Sequence, residues 1–331
     1  MEKKKLGYII QIIFVLILLA IGIWRQNTRI YSAHQSAFLM DTLFEIEIEG
    51  HNHELEAVLD SAFILAKFYE EKLSYYEEGS LISKINLSKG EKLNIDEDLY
   101  ELLKTGNYFY ENTEGRYDLS IGLLSDLWDI YQGLVPSEEK IQSALNFTGF
   151  NRIEFNQNQI ILPEGMKINL GSIAKGYVVD KLAEYFTNQE ITSYLINAGG
   201  DLRIKGLGKT LIGIQHPRKD HGEIIDKIFI DDKAVVTSGD YERYFEKDGN
   251  RYHHLLDART GYPAKECISV TAIADNTMLA DALSTAVFLM PVEKGLRLVE
   301  NIDNAWVIIY YINDFGEINR KISKGAEQFL E

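Results

Sequence analysis

The chain contains little cysteine, little proline and comparatively few basic residues. Its 331 residues include one cysteine, Cys267, which excludes an intrachain disulfide. With only 5 prolines and no proline-rich or low-complexity tract after residue 38, one large domain is expected. The formal net charge is −16, which argues against a nucleic-acid partner because phosphate backbones require clustered positive charge. A small anionic ligand remains compatible, since a metal ion and one or two cationic side chains can bind it locally.

The first residues predict a membrane segment. Lysines at positions 3–5 precede an apolar stretch over residues 6–24 that only Gln11 interrupts. A helix of this length spans about 30 Å, the thickness of a bilayer core. The lysines place the N-terminus in the cytoplasm, so a single-pass anchor with an extracytoplasmic domain is expected; a cleaved signal peptide is the alternative. The expected organisation is a cytoplasmic start at 1–5, the anchor at 6–24, a polar tether at 25–38 and one domain at 39–331.

Hydrophobic periodicity in the remaining chain predicts a mixture of helices and strands. Period-two alternation and short apolar runs predict strands over 42–49, 194–197, 202–204, 211–215, 228–230, 234–236, 267–274 and 306–312, with hairpins over 153–162 and 241–256. Helical spacing predicts helices over 53–76, 96–111, 173–186, 277–288 and 292–300. Because no regular βαβ repeat is present, an α+β fold is favoured over a parallel doubly wound sheet.

The densest group of polar side chains occupies residues 252–263. It includes His254, Asp257, Arg259 and Thr260 between a strand and a Gly/Pro turn. A core segment does not need so many hydrogen-bonding groups, because each buried one requires a partner. Imidazole titrates near neutrality, so His254 is a candidate general base. A structural histidine is the alternative, and the adjacent His253 leaves the choice open.

Asp281 and Thr285 are four residues apart in a predicted helix, so their side chains share one face. A carboxylate and a hydroxyl are hard oxygen ligands that suit Mg²⁺. The alternative is an aspartate that favours the helix dipole and a threonine that packs its methyl group.

Residues 171–176 form a Gly-flanked approach to a helix and include Lys175. Unpaired N–H groups at such a terminus attract phosphate, although an ordinary helix start fits equally well. Two further loops, at 197–201 and 237–241, either approach a ligand closely or simply turn the chain. The ring of Tyr76 either stacks on a planar ligand or packs against its helix.

In this order, the motifs resemble the ApbE family, the FAD:protein FMN transferases. The resemblance extends from about Met40 to about Met290. The residues that carry it are 40–42, 73–76 with Ser80 and Asn86, 115–120, 169–180, 197–201, 213–217, 237–244, 254–263 and 280–285. Three positions depart from the family's usual pattern: Asp41 stands where glycine is frequent, Asn169 where aspartate is frequent and Ala258 where proline is common.

The resemblance implies a single α+β domain that binds FAD, breaks its pyrophosphate and transfers FMN to a Thr or Ser hydroxyl of a target protein, with release of AMP. It implies Mg²⁺ on Asp281, Thr285 and Ser172, the last through its carbonyl. The implied FAD contacts are Met40, Tyr76, Arg116, Tyr117, Asp118, Asn169, Lys175 and Leu256. Within that frame His254 is the candidate base, and Asp257 either orients it or replaces it.

The resemblance also implies the partners, which are exported flavin-acceptor domains with an Asp-Gly-x-Thr type of motif. Two other functions use the same residues. In a Mg²⁺-dependent FAD pyrophosphatase, water replaces the protein hydroxyl and FMN and AMP are released. A non-catalytic surface flavin-binding protein would hold FAD without turnover.

Overall fold

The computed structural model of the protein describes residues 2–51, 53–220 and 222–331. Its α-helices are α1 (Glu2–Asn27), α2 (Leu55–Leu73), α3 (Leu81–Asn86), α4 (Glu97–Asn112), α5 (Gly122–Leu127), α6 (Glu138–Leu145), α7 (Ala174–Asn188), α8 (Thr277–Phe288) and α9 (Val292–Val299). Two short 3₁₀ helices occupy Phe150–Arg152 and Ala326–Phe329.

The strands of the first half are β1 (Tyr31–Leu39), β2 (Thr42–Gly50), β3 (Lys92–Asn94), β4 (Glu154–Asn156), β5 (Gln159–Ile161), β6 (Ser193–Ala198), β7 (Asp201–Lys205) and β8 (Thr210–Gln215). Those of the second half are β9 (Ile224–Ile230), β10 (Ala234–Gly239), β11 (Tyr244–Lys247), β12 (Asn250–His253), β13 (Leu256–Asp257), β14 (Tyr262–Pro263), β15 (Ser269–Ala274), β16 (Ala305–Ile312) and β17 (Ile318–Ile322).

An eight-stranded sheet organises the domain. Its strand order is β1-β2-β6-β7-β10-β15-β16-β17, and each neighbouring pair is antiparallel. Smaller sheets, among them the β8–β9 ribbon and the β11–β12 hairpin, surround it. The predicted α+β class is confirmed.

Both faces of the central sheet are covered, because successive side chains in a strand point to opposite sides. Along β15, Val270 and Ala272 belong to the main core on the side of α2, α7 and α8. Ile273 belongs instead to an isoleucine-rich cluster that includes Ile204 and Ile228. The β8–β9 ribbon and the C-terminal 3₁₀ helix contribute to this second cluster. The helices therefore lie over one face of β7, β10 and β15.

The polar tether predicted over residues 25–38 is wrong. Helix α1 continues to Asn27, and β1 pairs with β2 along its whole length. Its inward-facing positions carry the small or amphipathic residues Tyr31, Ala33 and Ala37, which pack against the main core. The domain therefore begins before residue 39.

The predicted anchor over residues 6–24 falls within α1. Across the described ranges, the structure contains no helix with the length and apolarity of a bilayer span, so the anchor is not supported. Several side chains of this segment lie outside the described part of the chain. The extracytoplasmic location stays a prediction from the sequence.

Candidate active site

The candidate site is built around the crossing of α7 and α8, where the two helices are in direct contact. A Cβ at Gly176 would stand 2.5 Å from the carbonyl oxygen of Thr277 and 2.8 Å from the Cβ of Asp281, so glycine allows the two helices to touch. The Gly176 N–H donates to Asp281 Oδ2 at 3.0 Å. One turn further along α7, Asp180 accepts hydrogen bonds from the N–H groups of Thr277 (2.7 Å) and Met278 (2.8 Å). Helix α7 thus fixes the start of α8.

The two predicted metal ligands in α8 lie on its buried side. Asp281 is 5% exposed and Thr285 is 7% exposed. Thr285 Oγ1 lies 3.2 Å from Ser238 Oγ on β10, and Ser238 Oγ is also 2.8 Å from Ser284 Oγ. Neighbouring turns of α8 therefore present a carboxylate and a hydroxyl between α7 and the sheet, as the spacing predicted.

The third predicted metal ligand, Ser172, lies immediately before α7. Its hydroxyl donates to the phenolic oxygen of Tyr117 at 2.9 Å. Tyr117 is 1% exposed, and burial raises its pKa; the Asp281 carboxylate contributes to the same shift. The Tyr117 hydroxyl also donates to the Ser172 carbonyl oxygen at 3.4 Å, so it connects the Ser172 backbone to the neighbourhood of Asp281.

Buried negative charge exceeds positive charge at this point. Lys175 Nζ lies 2.9 Å from Asp201 Oδ1, and the Asp201 side chain is 3% exposed. Burial, and then the Asp201 carboxylate, raise the pKa of Asp281 well above its usual value. Burial lowers the pKa of Lys175, but the carboxylates of Asp201 and Asp281 outweigh that effect and hold it above its usual value. One ammonium group thus serves two buried carboxylates.

These features fit a divalent cation. Asp201 Oδ2 is buried and has no hydrogen-bond partner among the described residues. Those residues contain no group of three His, Cys, Asp or Glu side chains arranged to hold a metal ion. A cation here would therefore use the Asp281 carboxylate with the Thr285 hydroxyl, the Ser172 carbonyl and oxygens of the ligand. Mg²⁺ accepts such a set, since it usually binds one or two carboxylates together with phosphate oxygens.

Asp257 holds Arg116 rather than His254. Its carboxylate is 6% exposed and forms an ion pair with Arg116 Nη1, while Oδ1 accepts the N–H of Arg259 at 2.9 Å. The Arg116 carbonyl accepts the N–H of Ala258 at 3.1 Å, which ties the two segments together again. Within the described part of the chain, no hydrogen bond joins Asp257 to His254. The predicted orientation of His254 by Asp257 is therefore not supported.

The two adjacent histidines have different roles in the structure. His253 is buried; its Nδ1 accepts the N–H of Leu255 at 3.2 Å and its Nε2 lies 2.8 Å from the Ala264 carbonyl oxygen, so both ring nitrogens have partners in the fold. His254 Nδ1 lies 3.4 Å from the Arg243 carbonyl oxygen. Burial, and then the charge of Arg243, lower the pKa of His254 to about 3. Its imidazole is neutral at neutral pH, the form required of a base.

Three of the predicted FAD contacts lie on connections between elements, where Tyr76 is exposed and Met40 and Asn169 are half-buried. Tyr76 is 76% exposed, and its ring meets Tyr75 edge-on at 5.1 Å. Met40 occupies the two-residue turn between β1 and β2, and its N–H donates to Glu70 Oε1 at 2.6 Å. Asn169 Oδ1 accepts the Gly171 N–H at 2.9 Å and shapes the approach to α7. The Tyr76 ring is free to stack on a planar ligand.

Two other predicted contacts have buried side chains. The Asp118 carboxylate accepts hydrogen bonds from Ser120 N–H (2.7 Å), Ser120 Oγ (2.6 Å), Gly149 N–H (3.0 Å) and Phe150 N–H (3.2 Å). Leu256 is 4% exposed and packs in a third apolar cluster with Leu124 and Trp128. A side-chain contact with FAD is therefore not supported for either residue.

The structure adds residues that the sequence did not single out. Asp201 follows the Gly199–Gly200 turn noted in the sequence, but its pairing with Lys175 joins distant segments. Ser238 and Arg243 belong to the 237–244 motif, where the sequence left a plain loop as an equal alternative. The roles of Asp201 and Ser238 depend on the faces that β7 and β10 present to α7 and α8.

Residues 40–309 match the sequence model of the ApbE family. The chain belongs to the ApbE family. A relative named FAD:protein FMN transferase from Klebsiella pneumoniae (strain 342) is 34% identical over 85% of this chain and 90% of its own length. Another of the same name, from Treponema pallidum (strain Nichols), is 29% identical over 87% of this chain and 86% of its own.

Solved structures of ApbE proteins have the same fold. The ApbE protein of Thermotoga maritima superposes with a TM-score of 0.82 at 35% identity, covering 91% of this chain and 100% of that one. The flavin transferase ApbE of Vibrio cholerae also gives a TM-score of 0.82, at 26% identity and the same coverage. The family assignment therefore applies to nearly the whole described domain.

Proposed function

We propose that the protein is a Mg²⁺-dependent transferase that moves FMN from FAD to a Thr or Ser hydroxyl of a target protein and releases AMP. The names of the relatives support the transfer of FMN from FAD to protein. The observation that carries the proposal is the buried set of Asp281, Lys175 and Asp201 beside the start of α7. This set suits a cation and a pyrophosphate, which FAD supplies.

We assign phosphate binding to the start of α7 and to the cationic side chains of Lys175 and Arg116. Helix α7 has no acidic residue in its own first turn, and its N-cap residue, Ile173, provides no side-chain cap. Within that turn, Asp281 accepts the Gly176 N–H. Lys175 in that turn is held charged, and Arg116 is oriented by its ion pair with Asp257. Oriented donors of this kind stabilise charge that develops on a phosphoryl group and on its leaving group.

Asp281, Thr285 and the Ser172 carbonyl would hold the Mg²⁺. Bound there, the ion would supply positive charge to offset the charge of the pyrophosphate and of the leaving AMP. Gly176 and Ser238 hold the first two ligands in place through hydrogen bonds at 3.0 Å and 3.2 Å.

His254 accepts the proton of the acceptor hydroxyl. Its Nδ1 faces the Arg243 carbonyl oxygen, which leaves Nε2 as the nitrogen with a free lone pair. As the hydroxyl oxygen bonds to the FMN phosphorus, the bond from that phosphorus to the bridging oxygen breaks. AMP leaves with the bridging oxygen, and the hydroxyl proton passes to His254 Nε2.

The test is incubation of the full chain with FAD, Mg²⁺ and a purified acceptor domain that carries an Asp-Gly-x-Thr segment. Mass spectrometry should show the FMN increment on the acceptor, with one AMP released per acceptor modified. An acceptor with its threonine replaced by alanine is the matched control and should gain no mass. Free FMN without acceptor labelling would identify a pyrophosphatase instead, and stoichiometric FAD without AMP would identify a binding protein.

A further inference from the structure

An exposed surface of apolar and cationic side chains lies beside Tyr76 and His254. Tyr131 is 84% exposed and Leu134 is 53% exposed, both on the connection between α5 and α6. Arg243, on the connection between β10 and β11, is also exposed. We call these three residues the docking rim. Large apolar side chains grouped at the surface are typical of interaction sites.

The loop that carries Tyr131 is held by specific contacts. Asp129 Oδ1 accepts the Gln132 N–H at 3.0 Å, and the Asp129 carbonyl accepts the Leu134 N–H at 3.2 Å. At the base of the loop, Trp128 Nε1–H donates to the Gly261 carbonyl at 2.8 Å, and its ring stacks on Tyr252 at 5.6 Å. The exposed Tyr131 ring therefore stands on an ordered base, which lowers the entropic cost of using it in binding.

The same loop lies against the hairpin that leads to the candidate base. A Cβ at Gly133 would stand 3.6 Å from the ring of Phe245 in β11, and Phe245 stacks on Tyr252 of β12 at 5.2 Å. Arg243 precedes β11, and its carbonyl accepts the His254 N–H at 3.3 Å. Both Arg243 and Tyr131 interact electrostatically with the Tyr76 hydroxyl. The docking rim therefore adjoins the place where the acceptor hydroxyl must arrive.

Arg243 forms no ion pair in the described part of the chain, although its charge opposes the rise in pKa, to about 7, that burial causes at the adjacent Glu242. Its guanidinium group makes no hydrogen bond or ion pair there, whereas the neighbouring Arg218 and Arg251 both pair with Asp240, at 2.6 Å and 3.5 Å. The chain has a net charge of −16, so a cation left unpaired beside the site is available to a negatively charged partner.

We propose that the docking rim binds the acceptor protein: Tyr131 and Leu134 contact an apolar part of the acceptor near its reacting hydroxyl, and Arg243 binds a carboxylate in the same segment. This inference rests on the proposed function. It assigns the acceptor to the docking rim and leaves FAD to Tyr76 and to the inner residues around Lys175 and Asp281.

Steady-state kinetics of FMN transfer by the full chain test the proposed contact of Tyr131 with the acceptor. At saturating FAD, with an acceptor domain that carries an Asp-Gly-x-Thr segment, Tyr131→Ala should raise the KM for the acceptor at least about fivefold, as expected when an exposed aromatic anchor is lost. The Kd for FAD should stay unchanged in a fluorescence titration. Phe315→Ala is the matched control, because Phe315 is an equally exposed aromatic, 88%, on the turn between β16 and β17. An unchanged acceptor KM in Tyr131→Ala would overturn the proposal.

A double-mutant cycle tests the proposed ion pair between Arg243 and the acceptor carboxylate. Arg243→Gln and the Asp→Asn change in the acceptor segment should each raise the acceptor KM, and the two together should raise it no further than one alone. Additive effects, or a weaker affinity for FAD in Arg243→Gln with an unchanged acceptor KM, would contradict the assignment of Arg243. If the wild-type chain labels no acceptor at all, the proposed function itself fails, which is a separate result.

Discussion

The inner and outer parts of the site are built on different principles. The inner part, at the crossing of α7 and α8, contains Asp281, Lys175 and Asp201, all held by hydrogen bonds or ion pairs between helices and sheet. The outer part contains Tyr76, Tyr131 and Arg243, which are exposed on connections between elements. The inner part thus carries unbalanced buried charge, and the outer part carries exposed side chains, of which the Arg243 guanidinium makes no ion pair within the described ranges.

Under the proposed function, the contrast corresponds to two chemical demands. A cation and a pyrophosphate require ligands fixed to within a fraction of an ångström, and packed helices provide this. A protein acceptor requires accessible surface, which loops on a rigid scaffold provide. Changes in the inner part should therefore alter stability and chemistry together, whereas changes at Tyr131 or Arg243 should alter acceptor use alone.

The largest effect is expected from Asp281→Asn. Loss of the carboxylate should reduce FMN transfer at least about 10³-fold, since the variant lacks the one negatively charged candidate ligand of the cation. The same change should stabilise the metal-free protein. The folded-state pKa of Asp281 lies above its ordinary value of 3.8, so between those two values the folded state binds more protons than the unfolded state. Stability therefore falls as pH rises through that window, and asparagine removes this loss.

Thermal unfolding at neutral pH without Mg²⁺ checks the second half of that prediction. The melting temperature of Asp281→Asn should exceed that of the wild type by roughly 2 °C or more, and the difference should shrink toward pH 4. Added Mg²⁺ should raise the melting temperature of the wild type but not of the variant. A variant that melts below the wild type at neutral pH would show that the buried charge is not the destabilising feature described here.

An intermediate effect is expected from Gly176→Ala, which tests whether the inner part tolerates movement. The added Cβ would lie 2.5 Å from a backbone oxygen of α8, so the helices must separate. Overpacking of this kind costs about 1–3 kcal/mol, and we expect at least a tenfold loss of transfer because Asp281 moves with α8. Gly7→Ala is the control, since a Cβ there meets nothing within 4 Å. Denaturant unfolding and AMP release measure the two effects.

The smallest expected effect is that of pH on kcat/KM, which should not change through titration of His254. Burial and Arg243 lower the pKa of His254 to about 3, so its imidazole stays neutral on acidification from about pH 8 to about pH 5. The value of kcat/KM, which reports the free enzyme, should therefore show no inflection near 6.5 from this group. An inflection there that disappears in His254→Ala would contradict the electrostatic environment described for the outer part.

Local signals in the sequence predicted much of the fold. Asp96 caps α4 by accepting the Leu99 N–H at 3.2 Å, as its residue type indicated. The hairpin between β11 and β12 turns at Asp248 and Gly249, whose φ angles of 52° and 74° require the residues that tolerate a left-handed backbone. The spacing of Asp281 and Thr285 likewise placed them on one face of α8. Each of these features depends on neighbours in sequence.

The features that were missed depend on contacts between distant segments. Strand β1 looked like a tether because it lies at an edge of the sheet, where one side faces solvent and Ala33 and Ala37 suffice on the other. The pairing of Asp201 with Lys175 exists only because β7 turns that face toward α7. The burial of Asp118 and Leu256 also follows from tertiary packing, which residue type alone does not indicate.

Two helices begin at the site, and a carboxylate of the protein meets the start of each. Asp180 already satisfies the first N–H groups of α8, so a carboxylate of the protein itself neutralises the positive end of that helix. At the start of α7, the Asp281 carboxylate accepts the Gly176 N–H and the Leu170 carbonyl accepts the Ala174 N–H, at 3.0 Å and 2.9 Å. Under the proposed function, the phosphates of the dinucleotide and the cation would share the start of α7, with the cation on Asp281 offsetting the negative charge that this carboxylate brings to it.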